Sequence, residues 1–159
     1  MQIILLTHER ELDRPTNTGS LAVSVAGGGV GLVRRIVWSR TAPDQELLAD
    51  VNKPGIGLLY PTTEVEGEEI NAAECENFIL LDGTWQEARK MYNRSPYLQS
   101  VSRVSLGSAQ SSRYRLRRNQ KAGGLCTAEC VVEILRVKGQ QALAAALEAE
   151  FFEFNIRTN

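Results

Sequence analysis

The sequence predicts an α/β fold with a largely parallel sheet. Short apolar runs of strand length alternate along the chain with stretches of helical periodicity, which is typical of α/β proteins. The clearest run, residues 78–81, is apolar throughout, as in a strand buried on both faces of a parallel sheet. Candidate strands cover residues 2–7, 34–38, 56–60, 78–82 and 103–106. Candidate helices cover residues 18–26, 44–51, 85–93, 127–137 and 141–153.

The elements are separated by recognisable breaks. Three glycines at 27–29 end the first helix, Lys53-Pro54-Gly55 precedes the third strand, and Gly123-Gly124 precedes the fourth helix. Thr84 and Glu87 have the spacing of a capping box, which starts the third helix at residue 85. The acid-rich stretch 64–76 is expected to be a solvent-exposed loop between two central strands. Glycines 27–31 lack the G-x-G-x-x-G spacing of a dinucleotide site and are interpreted as a turn.

Length and composition favour one domain over residues 1–159. The chain has 159 residues, 43% of them hydrophobic and 23% charged, which suits a single globular core. Its apolar runs are too short to cross a bilayer, and the first residues lack the pattern of a signal peptide. We therefore expect a cytoplasmic protein with no membrane partner, and the sequence leaves its oligomeric state open.

The three cysteines do not predict a metal site. Their odd number and spacing fit free thiols in a reducing compartment. Cys126 and Cys130 would share a helix face, but a zinc site needs two more ligands. Cys75 and His8 are the other Cys or His candidates, and both are distant in sequence. We expect no metal.

Charge is strongly segregated although the net charge is −1. Residues 86–121 contain nine Lys or Arg and one acid, whereas the rest of the chain contains nine Lys or Arg and eighteen acids. Clustered cations gain affinity for polyanions by displacing counterions, so this block favours nucleic acid as a partner. A solvated basic loop is the alternative. The candidate RNA-binding residues are Arg89, Arg113, Tyr114, Arg115, Arg117, Arg118 and Lys121.

Polar turns follow two predicted strands and precede the fourth helix. They are the segments 58–62, 81–85 and 123–129. Loops gathered at the carboxyl edge of a parallel sheet form a crevice for a small ligand. Asp82 stands where the apolar run 78–81 ends, so it would lie in this crevice. A turn aspartate beside a helix cap, without chemistry, is the alternative interpretation.

Several ordered motifs resemble the DTW-domain family of tRNA-uridine aminocarboxypropyltransferases. The signature Asp-x-Thr-Trp stands at Asp82, Thr84 and Trp85 and continues through residues 86–91. Further matching segments are residues 8–9, 15–19, 95–96, 114–118 and 125–129. The resemblance therefore covers nearly the whole chain.

The resemblance implies a SPOUT-like α/β fold with a C-terminal trefoil knot. It also implies S-adenosylmethionine as donor of a 3-amino-3-carboxypropyl group to N3 of a tRNA uridine, with release of 5′-methylthioadenosine. By analogy with that fold, the expected donor lining is Leu59, Tyr60, Pro61, Asp82, Gly83, Thr84, Trp85, Leu125, Cys126 and Thr127.

The role of Asp82 follows from the implied chemistry. The N3 proton of uridine must leave, and an acid beside the donor is a natural general base, so Asp82 is the candidate catalytic residue. It could instead act electrostatically or hold a donor hydroxyl. Trp85 could stack on a base or pack in the core. A SPOUT-like RNA methyltransferase with the same donor and a non-catalytic RNA-binding module are the alternative functions.

Overall fold

Six parallel strands form the centre of the protein in the computed structural model, which describes residues 1–60, 69–106 and 126–158. The strands are β1 (Gln2–Thr7), β2 (Val33–Val37), β3 (Ile56–Leu59), β4 (Glu69–Asn71), β5 (Asn77–Asp82) and β6 (Ser102–Ser105). Their order across the sheet is β2-β1-β5-β3-β6-β4, and every neighbouring pair is parallel. All strands therefore end at one edge of the sheet.

Helices cover both faces of this sheet. They are α1 (Gly19–Ala26), α2 (Gln45–Asp50), α3 (Trp85–Asn93), α4 (Pro96–Gln99), α5 (Thr127–Val137) and α6 (Gln141–Thr158). Short 3-10 helices occupy Glu9–Glu11 and Ala72–Glu74. No helix within the described ranges has the length and apolar character needed to cross a membrane.

Side chains alternate between the two faces of each strand, so the sheet has two cores. Ile3 and Leu5 of β1 pack with residues of α1, α5 and α6. Ile4 and Leu6 point to the other face and pack with residues of α2, α3 and α4. The predicted α/β fold with a parallel sheet is confirmed, and the helices on its two faces give it three layers.

This arrangement places a topological switch point between β1 and β5. The two strands are neighbours in the sheet, with Thr7 in register with Asp82 at their carboxyl ends. The helix that follows β1 lies on one face of the sheet, and the helix that follows β5 lies on the other. In open parallel sheets, ligands bind in the crevice that forms where consecutive loops diverge in this way.

The predicted strands and helices are confirmed, with ends that shift by one or two residues, except that α6 continues to Thr158. The expectation for the acid-rich stretch 64–76 was wrong in part, because β4 lies within it. This strand has three residues, none of them buried, and among the described strands it pairs with β6 alone, at the edge of the sheet. Helix α4 was also missed, since a single turn after Pro96 has no apolar periodicity to reveal it.

Candidate functional site

The carboxylate of Asp82 lies at the switch point and accepts hydrogen bonds from four side chains. Its Oδ2 accepts from Thr7 Oγ1 at 3.0 Å and from Arg35 Nη2 at 3.2 Å. Its Oδ1 accepts from Asn17 Nδ2 at 3.0 Å and from Thr127 Oγ1 at 2.9 Å. Asp82 is 1% exposed. The carboxylate therefore joins the ends of β1 and β5, the loop before α1, strand β2 and the start of α5.

Asn17 is the central amide of this cluster. One N–H of Nδ2 donates to Asp82 and another donates to Glu11 Oε1, each at 3.0 Å. Its Oδ1 accepts from Arg35 Nη2 at 2.8 Å and from the backbone N–H of Ser20 at 2.9 Å. Because carboxylates only accept, the amide nitrogen must face both of them. Asn17 thus separates two buried carboxyl groups that would otherwise repel each other.

Gly19 leaves room for the carboxylate of Asp82. A Cβ atom at this position would overlap Oδ2 of Asp82 and lie 2.9 Å from Arg35 Nη2. Helix α1 begins at Gly19, so the absence of a side chain lets the helix approach the end of β5 closely. The first turn of α1 is in this way part of the wall around Asp82.

A second buried carboxylate, Glu87, stands at the start of α3. It completes the predicted capping box with Thr84: the Thr84 N–H donates to Oε1 at 2.9 Å, and Thr84 Oγ1 accepts the Glu87 N–H at 3.2 Å. Arg14 donates to both oxygens of Glu87, at 3.0 and 2.9 Å, and also pairs with Glu11. The two carboxylate clusters are thereby linked through Glu11 and Arg14.

The pKa of Glu87 reflects these contacts. Burial alone would raise the pKa, but the Thr84 N–H and the Arg14 guanidinium outweigh burial and hold the pKa below its ordinary value of 4.5. A carboxyl group whose pKa is lowered by folding stabilises the native state while it is ionised.

We therefore expect Glu87 to stabilise the fold above pH 4.5 and to lose this contribution as the pH falls through its lower native pKa. Free energies of unfolding of wild type and Glu87→Gln, measured between about pH 3 and 7, should differ most at neutral pH and converge in acid. Glu150→Gln, at an exposed position on α6, is the control and should show no such convergence. A constant difference for Glu87→Gln across the range would refute the linkage.

Aromatic rings line the α3 side of the switch point. Tyr60 stacks on Tyr92 with ring centroids 4.2 Å apart, and its centroid is 5.6 Å from that of Trp85. Trp85 is half-buried and packs against the core on this face. Burial raises the pKa of the Tyr60 hydroxyl and the positive charge of Arg89 opposes that effect. The hydroxyl therefore stays protonated at neutral pH.

The start of α5 closes the cluster from the opposite face. Thr18 Oγ1 accepts the Ala128 N–H at 3.1 Å, which fixes the helix start to the loop before α1. Glu129 accepts the Cys126 N–H at 3.2 Å, so the first turn of α5 is also held from within. These contacts bring Thr127 to its hydrogen bond with Asp82.

The described residues that were predicted to line the donor gather at this edge of the sheet in two groups. Tyr60 contacts Trp85, and Asp82 contacts Thr127. Gly83, Thr84 and Cys126 adjoin them in the chain, whereas half-buried Leu59 packs toward the α1, α5 and α6 layer. Pro61 and Leu125 lie outside the described residues, as do Arg113, Tyr114, Arg115, Arg117, Arg118 and Lys121. Arg89 is described and is exposed on α3.

The polar partners of the two carboxylates were not predicted from the sequence. Glu11 and Asn17 are buried, and Arg14 and Arg35 are half-buried. One signal was present, since β2 carries two arginines in the middle of a strand, where a charged side chain requires a partner. His8, considered above as a metal ligand, is buried against Trp38 with ring centroids 5.8 Å apart. Among the described residues, no cluster of three or more His, Cys, Asp or Glu is placed to hold a metal.

Comparison with known proteins identifies the family of this chain. The family model described as "DTW domain" matches residues 1–158. A relative named "tRNA-uridine aminocarboxypropyltransferase 2" from Drosophila melanogaster is 30% identical over 141 residues, covering 86% of this chain and 55% of that protein. A Macaca fascicularis protein of the same name is 30% identical over 105 residues, covering 59% of this chain and 33% of that protein. The chain thus spans about half or less of each relative. No solved structure matches it.

Proposed function

Because the chain belongs to the DTW domain family, we propose that it transfers the 3-amino-3-carboxypropyl group of S-adenosylmethionine to N3 of a uridine in tRNA. The family match over residues 1–158 carries this proposal. The relatives named as tRNA-uridine aminocarboxypropyltransferases support the choice of reaction and substrate. The proposed active site lies at the switch point, at the edge of the sheet where β1 and β5 end.

The residues around the switch point fit the proposed donor. S-adenosylmethionine combines an aromatic adenine with a positively charged sulfonium, and both interact favourably with aromatic faces. Half-buried Trp85, whose ring contacts that of Tyr60, offers such a face. The turns that bear Asp82 and Thr127 are fixed to each other by a hydrogen bond. In this proposal, the backbone groups of these two turns bind the rest of the donor.

Orientation of the donor decides the product. Three carbons are bonded to the sulfonium, and attack at the γ-carbon of the methionine part gives aminocarboxypropyl transfer, whereas attack at the methyl gives methylation. In the proposed reaction the uridine loses its N3 proton, N3 bonds to the γ-carbon, and the carbon–sulfur bond breaks. Its electron pair remains on sulfur, which leaves as 5′-methylthioadenosine. The task of the site is therefore to present that carbon to the uridine and to turn the methyl away.

We assign Asp82 the positioning of the turns around the donor. Its two oxygens already accept from Thr7, Asn17, Arg35 and Thr127, and this pattern supports an electrostatic and positioning role. The general-base role stays a prediction. In the positioning role, Asp82 fixes the start of α5 against the end of β5, so that both turns present their backbone groups to one ligand.

Three further expectations stay predictions. The basic segment 113–121 is proposed to contact tRNA through Arg113, Arg115, Arg117, Arg118 and Lys121, with Tyr114 stacking on a base. The SPOUT-like trefoil knot and the cytoplasmic location are proposed on the family resemblance and on the sequence pattern, respectively.

Donors labelled at two places test the proposed reaction. Unmodified tRNA is incubated with the protein and S-adenosylmethionine carrying either a labelled carboxyl carbon or a labelled methyl group. We expect the carboxyl label to become attached to tRNA and the methyl label to leave with the nucleoside by-product. Attachment of the methyl label would show a methyltransferase. Attachment of neither label, with tRNA still bound, would favour a non-catalytic RNA-binding module.

A further inference from the structure

Helix α3 carries unbalanced positive charge along its outer face. Arg89 and Lys90 are exposed, and Arg94, the residue that caps its C-terminus, is also exposed. The one acid of the helix, Glu87, is buried and paired with Arg14. None of the three cations forms an ion pair with any residue in the ranges 1–60, 69–106 and 126–158. Within these ranges, no acid neutralises their charge.

The position of this face relates it directly to the candidate site. Helix α3 begins at Trp85, three residues after Asp82, so the face starts at the switch point and leads away from it. Arg89 follows Trp85 by one helical turn, and Arg94 follows Lys90 by one turn. Each step of four residues is a rise of about 6 Å. Because successive residues of a helix point about 100° apart, Arg89 lies on the side of Trp85, whereas Lys90 and Arg94 lie together further round the exposed surface of α3.

Arg89 lies near the aromatic rings at the start of α3. It follows Trp85 by one helical turn, and the ring centroids of Trp85 and Tyr60 are 5.6 Å apart. The positive charge of Arg89 also opposes the increase that burial causes in the pKa of the Tyr60 hydroxyl. The exposed cations of α3 therefore begin one helical turn from Trp85.

The opposite layer of the protein has a different charge. Helix α6, on the other face of the sheet, exposes Glu150 and Glu153 and one cation, Arg157. Helix α2 shares the layer of α3, but its Glu46 and Asp50 are paired with Arg34. A polyanion would consequently be attracted to the α3 side and repelled from the α6 side.

From this arrangement we infer that the outer face of α3, formed by Arg89, Lys90 and Arg94, binds the phosphate backbone of the RNA substrate and guides it to the crevice. The inference rests on the proposed function for the identity of the RNA. A patch of exposed cations on a helix whose single acid is buried suits the negative charge of a nucleic-acid backbone, because each contact releases a condensed counterion. A protein partner of mixed charge would leave part of such a patch unmatched.

A double substitution tests this surface by its salt dependence. In Lys90→Gln/Arg94→Gln, affinity for unmodified tRNA in 50 mM salt should fall about tenfold. The slope of log K against log salt should flatten by about 1.4 to 1.8, as expected for the loss of two phosphate contacts. The matched control is Lys53→Gln/Arg157→Gln, which removes the same charge at exposed positions away from α3. It should keep the wild-type slope.

Donor binding and product formation are measured in the same preparations. An unchanged salt slope in Lys90→Gln/Arg94→Gln, or equal flattening in the control pair, would overturn the inference whether or not product forms. Wild-type protein that binds no tRNA would also overturn it. A flatter salt slope in Lys90→Gln/Arg94→Gln, but not in the control pair, supports the RNA surface even if wild-type protein forms no aminocarboxypropyl product. Failure of the proposed reaction can therefore be distinguished from failure of this inference.

Discussion

Asp82→Asn is expected to abolish transfer and to lower the free energy of unfolding by about 3 to 5 kcal/mol, because it removes one partner from a buried charged cluster. The amide nitrogen of the new side chain is a donor and would face donors from Thr7 and Arg35 or from Asn17 and Thr127. Chemical denaturation, donor titration and turnover are the three measurements. If Asp82 positions the turns, donor affinity should fall together with stability.

Two further changes keep this test informative if Asp82→Asn fails to fold. Thr127→Val removes one hydrogen bond to Asp82, which should cost about 1 kcal/mol and weaken donor binding, whereas Thr127→Ser should restore both. Asp13→Asn, at an exposed position, controls for loss of one negative charge. Wild-type stability, donor affinity and turnover in Asp82→Asn would contradict the assigned role. Lost turnover with unchanged donor affinity would favour the general base instead.

Asn17→Asp is expected to destabilise the protein by about 3 kcal/mol or more at neutral pH, since it adds a buried negative charge beside two others and removes the donor that they share. The substitution keeps the size of the side chain but replaces the Nδ2 donor by an acceptor. That atom lies 3.0 Å from both Glu11 Oε1 and Asp82 Oδ1, so three carboxyl groups would meet. Free energies of unfolding at neutral and acidic pH measure the effect, which should diminish in acid as one of the carboxyl groups binds a proton.

Asn52→Asp is the matched control, because Asn52 is exposed and its side chain donates to the backbone carbonyl of Leu48. It should change the free energy of unfolding by no more than about 0.5 kcal/mol. Equal stability of the two variants at neutral pH would show that Asn17 does not separate buried carboxylates.

The edge of the sheet that bears the site could be predicted from the sequence, because its signals are local. The apolar run before Asp82 marks a buried strand, and the spacing of Thr84 and Glu87 marks the start of α3, as the structure confirms. The carboxyl ends of parallel strands share one edge, so these local patterns predict that the turns of Asp82 and Thr127 lie at the same edge. The two side chains do form a hydrogen bond there.

The partners of those residues could not be predicted, because they depend on strand order and register. Asn17 and Asp82 are 65 residues apart, and Arg14 and Glu87 are 73 apart. No periodicity encodes that β1 lies beside β5 or that Thr7 aligns with Asp82. Strand β4 was missed for a related reason: a three-residue edge strand without buried side chains has no hydrophobic pattern.

The most direct test of the proposed reaction is mass spectrometry of nucleosides from unmodified tRNA incubated with the protein and S-adenosylmethionine. The proposal predicts a uridine that carries a 3-amino-3-carboxypropyl group at N3, with 5′-methylthioadenosine released in equal amount. A methylated nucleoside accompanied by S-adenosylhomocysteine would contradict the proposal while leaving the donor site in place. Unmodified nucleosides, with the donor intact, would contradict the enzymatic function itself.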